Sequence, residues 1–167
     1  MKQKTIKAKV YGIPDSGLFK TDYEDPISKR KVFREEISTT LKLISDDKNE
    51  LPYPVKKCME VMNDMVNCTD VTNYAKYITA PLLLVQSTYD EWALDNIVKA
   101  NCLTPNYPPF SLQKCDSKMK SIIDDYNKMA VASIQKIKAD KRDIGAWAPA
   151  CVQHGFSADP SFTSEKY

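Results

Sequence analysis

His154, the only histidine of the chain, closes the run Ala148-Pro149-Ala150-Cys151-Val152-Gln153-His154-Gly155. A neutral imidazole takes a proton from a hydroxyl near neutral pH and returns it, so a histidine at a strand-to-loop junction is a candidate general base. A lone histidine is more often a polar bystander, and it needs an acid to fix its ring. Upstream, Pro81-Leu82-Leu83-Leu84-Val85-Gln86-Ser87-Thr88-Tyr89-Asp90-Glu91-Trp92 reads as a buried strand running into a loop that carries Asp90. Aspartate there is the residue type that orients a catalytic histidine. The missing third member is a nucleophile. In α/β-hydrolases it is the serine of Gly-x-Ser-x-Gly, whose glycines relieve crowding in a strained strand-to-helix elbow. Of the four glycines, Gly12, Gly17, Gly145 and Gly155, no two stand at that spacing. Ser16, in Asp15-Ser16-Gly17, is the nearest substitute, and no recognisable helix start follows it.

The elements that must position these residues alternate between strand and helix signals. Ile6 to Ile13 alternates apolar and polar side chains and breaks at Pro14-Asp15-Ser16-Gly17, as a strand entering a tight turn does. Asp25-Pro26 supplies an N-cap and a first-turn proline for a helix with Ile27, Phe33, Ile37, Leu41 and Ile44 inward, ending near Asp46-Asp47. Pro54 opens a second helix, with Met59, Met62 and Val66 inward as flexible core filler. Leu82 to Val85 is too short for a core helix and suits a strand covered on both faces. From Asp116 to about Lys138, apolar residues from Met119 to Ile137 recur at three- and four-residue steps, one stripe of a long helix. The proline- and aromatic-rich stretch Leu103 to Phe110, flanked by Cys102 and Cys115, reads as a stapled surface loop, the alternative being a substrate-contacting rim that a Cys102–Cys115 bridge pins beside Asp90. No periodicity follows His154. The order of elements is that of an α/β protein with a mostly parallel sheet.

At 167 residues and 43% hydrophobic content, the chain is long enough for one core, so a single domain over residues 1–167 is expected. The formal charge of +2 is small and its lysines and arginines are interspersed with acids, which argues against a nucleic-acid partner. No apolar run approaches the roughly 18 residues of a transmembrane span, and Met1 to Lys7 lacks the apolar block of a signal peptide. Two local bridges, Cys58 with Cys68 and Cys102 with Cys115, leaving Cys151 over, is one reading of the five cysteines; five unrelated thiols is the other. Zinc is less favoured than either, since there is no Cys-x-x-Cys pair and no second histidine. Asn67-Cys68-Thr69 matches an N-glycosylation sequon, a triplet common by chance.

Three stretches resemble, in order, the pectin acetylesterase and Notum family of secreted carboxylesterases. They are Asp15-Ser16-Gly17-Leu18-Phe19, the run from Pro81 to Val98 with Asp90-Glu91-Trp92, and Ala148-Pro149-Ala150-Cys151-x-x-His154. Cys58 and Cys68 resemble the family's paired cysteines. The resemblance implies an α/β-hydrolase-like fold with Ser, Asp and His in that chain order, Asp90 and His154 being the last two. It implies a serine carboxylesterase that removes an acyl group from a polysaccharide or a protein, secreted, with no metal or organic cofactor. The family's serine lies in a Gly-x-Ser-Ala-Gly-Gly elbow upstream of the Asp-Ser-Gly turn, so the resemblance also implies that this chain is the C-terminal portion of such a domain, without its nucleophile. On the same comparison Cys151 has lost its partner. The alternative from a different class is a non-catalytic binding or structural relic of the fold.

Overall fold

The computed structural model describes residues 8–44, 51–103 and 111–158. Their helices are α1 (Val32–Ile44), α2 (Tyr53–Met62), α3 (Val71–Tyr74), α4 (Glu91–Asn96) and α5 (Ser117–Asp140), and their strands are β1 (Leu82–Val85) and β2 (Ile144–Trp147). The two strands pair in parallel, in register from Leu82 with Ile144 to Val85 with Trp147. The far edge of β1 is taken by an extended segment that bridges Gly12 to Leu82 and Asp15 to Val85, also in parallel. β1 is thus the middle of the sheet. Gly12 suits that edge, because a Cβ there would lie 2.6 Å from Leu82 Cδ2 and would oblige that side chain to move. Pro14 is tolerated beside it because an edge segment can spare an N–H, and its carbonyl accepts from Val85 N at 3.0 Å. The mixture of helices and a small parallel sheet is compatible with the α/β class.

Helix α5 is the spine of both apolar clusters. Asp116 caps it by accepting from Met119 N at 2.7 Å, and its apolar stripe then divides along its length. In the first half, Ile123 and Tyr126 pack with Ala93 and Leu94 of α4, with Ile97, Val98 and Ala100 behind it, and with Tyr23 and Phe33. In the second half, Ala130, Ile134 and Ile137 pack with Leu84, Ile144 and Ala146 of the sheet, and with Leu18 and Val71. A fully buried isoleucine or leucine contributes about 1.5–3 kcal/mol, so this stripe accounts for much of the drive to fold. Two disulfides add local closure. Cys58–Cys68 joins α2 to the single turn Asn67–Thr69 with Cα atoms 5.7 Å apart, and Cys102–Cys115 spans 4.9 Å.

The structure corrects several sequence expectations. The first helix does not start at Asp25-Pro26. Asp25 instead closes a turn on itself, accepting from Ile27 N, Ser28 N and Ser28 Oγ, and Lys29 adopts φ 58°, so helical geometry begins only at Val32. Ile27 is left 61% exposed. The second helix ends at Met62, because Asn63 turns left-handed at φ 48°; Cys58 is its buried residue, Met62 is exposed and Val66 lies beyond the helix. The cover on β1 is uneven: Leu82, Leu84 and Val85 are buried, Leu84 against α5, while Leu83 is 42% exposed. The expected strand at Ile6 to Ile13 is reduced to single bridges, with Val10, Tyr11 and Ile13 exposed. Ile6, the inward side chain of Ile44, the helix end at Asp46-Asp47, most of the proline-rich loop (104–110) and the residues from 159 onward lie outside the described residues.

Candidate active site

Register brings the site together. Beyond the paired strands, the chains after β1 and β2 stay side by side: Gln86 N donates to Trp147 O at 3.0 Å, and Thr88 N to Pro149 O at 3.1 Å. Tyr89 then bridges Val152, so four residues on one side match five on the other and a single extra residue is taken up in the second strand's extension. Asp90 and His154 follow immediately, at the same C-terminal edge of the sheet. Ser87 steadies this crossing. Its hydroxyl donates to Cys151 O and accepts from Tyr89 N.

His154 Nδ1 lies 2.9 Å from Asp90 Oδ2 and 3.1 Å from Oδ1. An ionised carboxylate only accepts, so this contact places the neutral imidazole's proton on Nδ1 and leaves Nε2 as the bare, basic nitrogen. Among the described residues nothing hydrogen-bonds Nε2. The ring rests against Phe19 and Trp92, with centroids 6.2 and 6.3 Å away, and its side chain is 33% exposed. The aromatic wall continues behind it, since Phe19 and Trp92 pack at 4.7 Å and both meet Phe33.

Asp90 is buried and has three duties. It is the N-cap of α4, accepting from Ala93 N at 2.9 Å; it accepts from Gln86 Nε2 at 3.0 Å; and it faces the imidazole. Burial pushes its carboxyl above the ordinary aspartate range, opposed by the hydrogen bonds from Ala93, His154 and Gln86. Gln86, itself buried, is the link sequence reasoning missed. Its Oε1 accepts from Leu18 N at 2.9 Å while its Nε2 serves Asp90, so the turn after Ser16 and the acid are tied to one side chain. The available signal was its position as the first polar residue after the apolar run, four before Asp90.

The Ser16 hydroxyl is engaged on both sides by groups of its own chain. Ser16 is 2% exposed at φ 56°, donates from Oγ to Asp15 Oδ1 at 2.9 Å, and accepts from Gly155 N at 2.8 Å. Asp15 in turn accepts from Phe156 N at 3.2 Å and Ser157 N at 2.6 Å, at the start of the single helical turn Phe156–Ala158. Burial alone would raise the Asp15 carboxyl, but the hydrogen bonds from Ser157, Ser16 and Phe156 outweigh it and hold it below the usual range. Cys151 is a free thiol, and burial raises its pKa. Among the described residues no group of three His, Cys, Asp or Glu is placed to hold a metal ion, and no helix is long and apolar enough to cross a membrane.

The arrangement, an oriented imidazole with one free nitrogen over a buried carboxylate, can move a proton at the mouth of a parallel sheet. No curated protein matches the chain. The family whose description is pectinacetylesterase matches residues 2–166, very nearly the whole sequence, and the chain belongs to that family.

Proposed function

We propose that this chain carries the acid and base of a serine carboxylesterase acting on acyl esters, acetylated polysaccharide of the pectin type first, with an acylated protein as the other candidate substrate. The observation that carries this reading is the contact of His154 Nδ1 with buried Asp90 at 2.9 Å, with Nε2 left free. Family membership supports the ester chemistry. In the reaction a serine Oγ attacks the ester carbonyl carbon while its proton passes to His154 Nε2. Asp90 holds the ring and stabilises the imidazolium. The tetrahedral intermediate collapses, the sugar oxygen leaves with the proton from Nε2, and an acyl-serine remains. Water then attacks the acyl carbon, giving its proton to Nε2, and the serine oxygen departs with that proton as the carboxylic acid is released, which restores the neutral imidazole.

The serine is not among these residues, since no two glycines frame one. We assign it to a Gly-x-Ser-x-Gly elbow outside the sequence in hand, and the 167 residues to the C-terminal part of one α/β-hydrolase-like domain. Support for that fold comes from parallel strands backed by α5, with the candidate pair at their C-terminal ends. The two disulfides fit an oxidising, extracellular setting. The test is hydrolysis of p-nitrophenyl acetate and acetylated pectin by this chain alone, and by a polypeptide joining it to an elbow-bearing segment of the family. Activity should appear only in the second and be lost in His154→Ala. Hydrolysis by the chain alone that disappears in Ser16→Ala would overturn the assignment, and a joined enzyme indifferent to His154→Ala would favour the relic.

A further inference from the structure

The ring of His154 has one hydrogen-bonded anchor, the Asp90 contact, beside the Phe19 and Trp92 rings, and the backbone between the Val152 bridge and the turn at Phe156 belongs to no helix or strand. After the Tyr89–Val152 bridge the backbone leaves the sheet, and the next residue but two, Gly155, takes φ 72°. A glycine there has more backbone freedom than any other residue, so nothing local fixes the direction in which His154 points. What fixes it comes from far away in sequence. Three successive backbone N–H groups, of Gly155, Phe156 and Ser157, are taken by Ser16 Oγ, Asp15 Oδ1 and Asp15 Oδ2 at 2.8, 3.2 and 2.6 Å.

The pair making those bonds is itself anchored to the strand that delivers the acid. Asp15 bridges Val85, and Ser16 N donates to Val85 O at 2.8 Å. One residue later, Gln86 reaches both Leu18 N and Asp90. The end of β1 therefore holds the ring of His154 through Gln86 and Asp90, and its backbone through Ser16 and Asp15. We infer that Asp15 and Ser16 are positioning residues for His154, acting by clamping the three amides that follow it rather than by touching any reacting atom.

The clamp explains two costs that a mere surface turn would avoid. Ser16 is a non-glycine residue held in the left-handed region, and its hydroxyl is buried where no substrate reaches it. Asp15 stays ionised below the usual aspartate range, so the acceptor remains charged over any working pH of the pair. The inference gives the clamp its purpose from the reading of His154 as base, but its test reads the imidazole directly.

Because the chain has one histidine, its imidazole nitrogens give a single set of signals in nitrogen-15 NMR. In the wild-type chain the neutral ring should be predominantly the Nδ1–H tautomer, and the Gly155, Phe156 and Ser157 amides should exchange slowly. In Ser16→Ala and in Asp15→Asn those amides should exchange about tenfold faster or more, and the tautomer should drift toward the Nε2–H form of a free imidazole. Ser16→Gly is the discriminating variant. It relieves the left-handed backbone while losing the hydroxyl, so a purely structural serine would leave it harmless, whereas the clamp makes its tautomer as mixed as that of Ser16→Ala. In the joined enzyme the same variants should lower kcat about 10- to 100-fold with KM roughly unchanged, since a displacement near 1 Å costs on that order. Fast exchange of the three amides in the wild-type chain, or an undisturbed tautomer in a folded Ser16→Gly, would overturn the clamp. Neither result depends on whether the protein hydrolyses esters.

Discussion

Asp90→Asn changes one oxygen to an amide nitrogen, and the hydrogen bonds around it say which atom must lose. Oδ1 receives the Ala93 N–H that starts α4, and the asparagine oxygen will keep that bond because the alternative is an uncapped helix. Its new NH2 then occupies the place of Oδ2, facing the Gln86 amide nitrogen at 3.0 Å and His154 Nδ1 at 2.9 Å. Two NH2 groups cannot bond each other. Gln86 cannot simply flip, because its Oε1 would then abandon Leu18 N, which it holds at 2.9 Å. One buried donor goes unsatisfied either way, a cost of about 1–3 kcal/mol. The imidazole responds too: its nearer contact, at 2.9 Å, is now a donor, while the oxygen kept at Oδ1, 3.1 Å away, is already engaged by Ala93 N, so Nδ1 is drawn to offer its lone pair and the proton moves to Nε2. The base then presents an N–H where the reaction needs a lone pair. With geometry otherwise intact, a reversed tautomer costs about 10⁴-fold in kcat, or about 5 kcal/mol of transition-state stabilisation. Three measurements should agree: chemical denaturation, nitrogen-15 NMR of the single histidine, and esterase kinetics of the joined enzyme. A folded Asp90→Asn chain whose histidine keeps its proton on Nδ1 would refute this reasoning, and so would a joined enzyme that keeps kcat within about tenfold of wild type.

Lys20→Met strips the partner from Asp70, a buried carboxylate 2.7 Å from Lys20 Nζ that also caps α3 through Thr72 N. The stranded charge should cost about 3 kcal/mol in denaturant titration, the low end for a broken buried pair because Asp70 keeps its Thr72 bonds. Reducing Cys58–Cys68, which closes a loop of sequence separation 10, should lower stability by about 2–3 kcal/mol on the chain-entropy estimate, read as a shift in the urea midpoint. Asp15→Asn should be pH-selective. The folded pKa of Asp15 is depressed, so its contribution is fully present above the unfolded aspartate value of about 3.9 and is lost as pH falls through the folded value. The melting curves of variant and wild type should therefore differ near neutrality and converge in strong acid. Parallel curves down to the lowest pH would show that the carboxylate charge is not what holds the loop.

What the sequence made legible follows from which signals are local. The stripe from Met119 to Ile137 and the run Leu82 to Val85 carry their periods within one element, and both elements formed with nearly the expected bounds. Asp25-Pro26 misled because an N-cap and an Asx turn begin with the same chemistry, a carboxylate accepting from the next amides. The choice between them was made four residues on, by the left-handed Lys29. The methionines of the second helix misled for a similar reason: Asn63 ended the helix one residue past Met62 and left Val66 outside it.

The candidate site divides along the same line. Asp90 and His154 each stand at the end of a stretch whose strand character is visible in sequence, so their meeting required only that the two strands be parallel neighbours. Gln86, Asp15 and Ser16 could not be found that way, because their distant partners sit 68, 139, 141 and 142 positions away and are backbone amides, which leave no residue-type signature. Ser16 shows the consequence most clearly. Its type invited the reading of a nucleophile, yet its hydroxyl is spent between Asp15 and Gly155 N, and its value to the imidazole lies in geometry supplied to the backbone next door. A serine type beside a candidate histidine is therefore a weak signal of attack on substrate; the stronger one is a hydroxyl hydrogen-bonded to Nε2, and among the described residues the bonds of the His154 ring run from Nδ1 to Asp90.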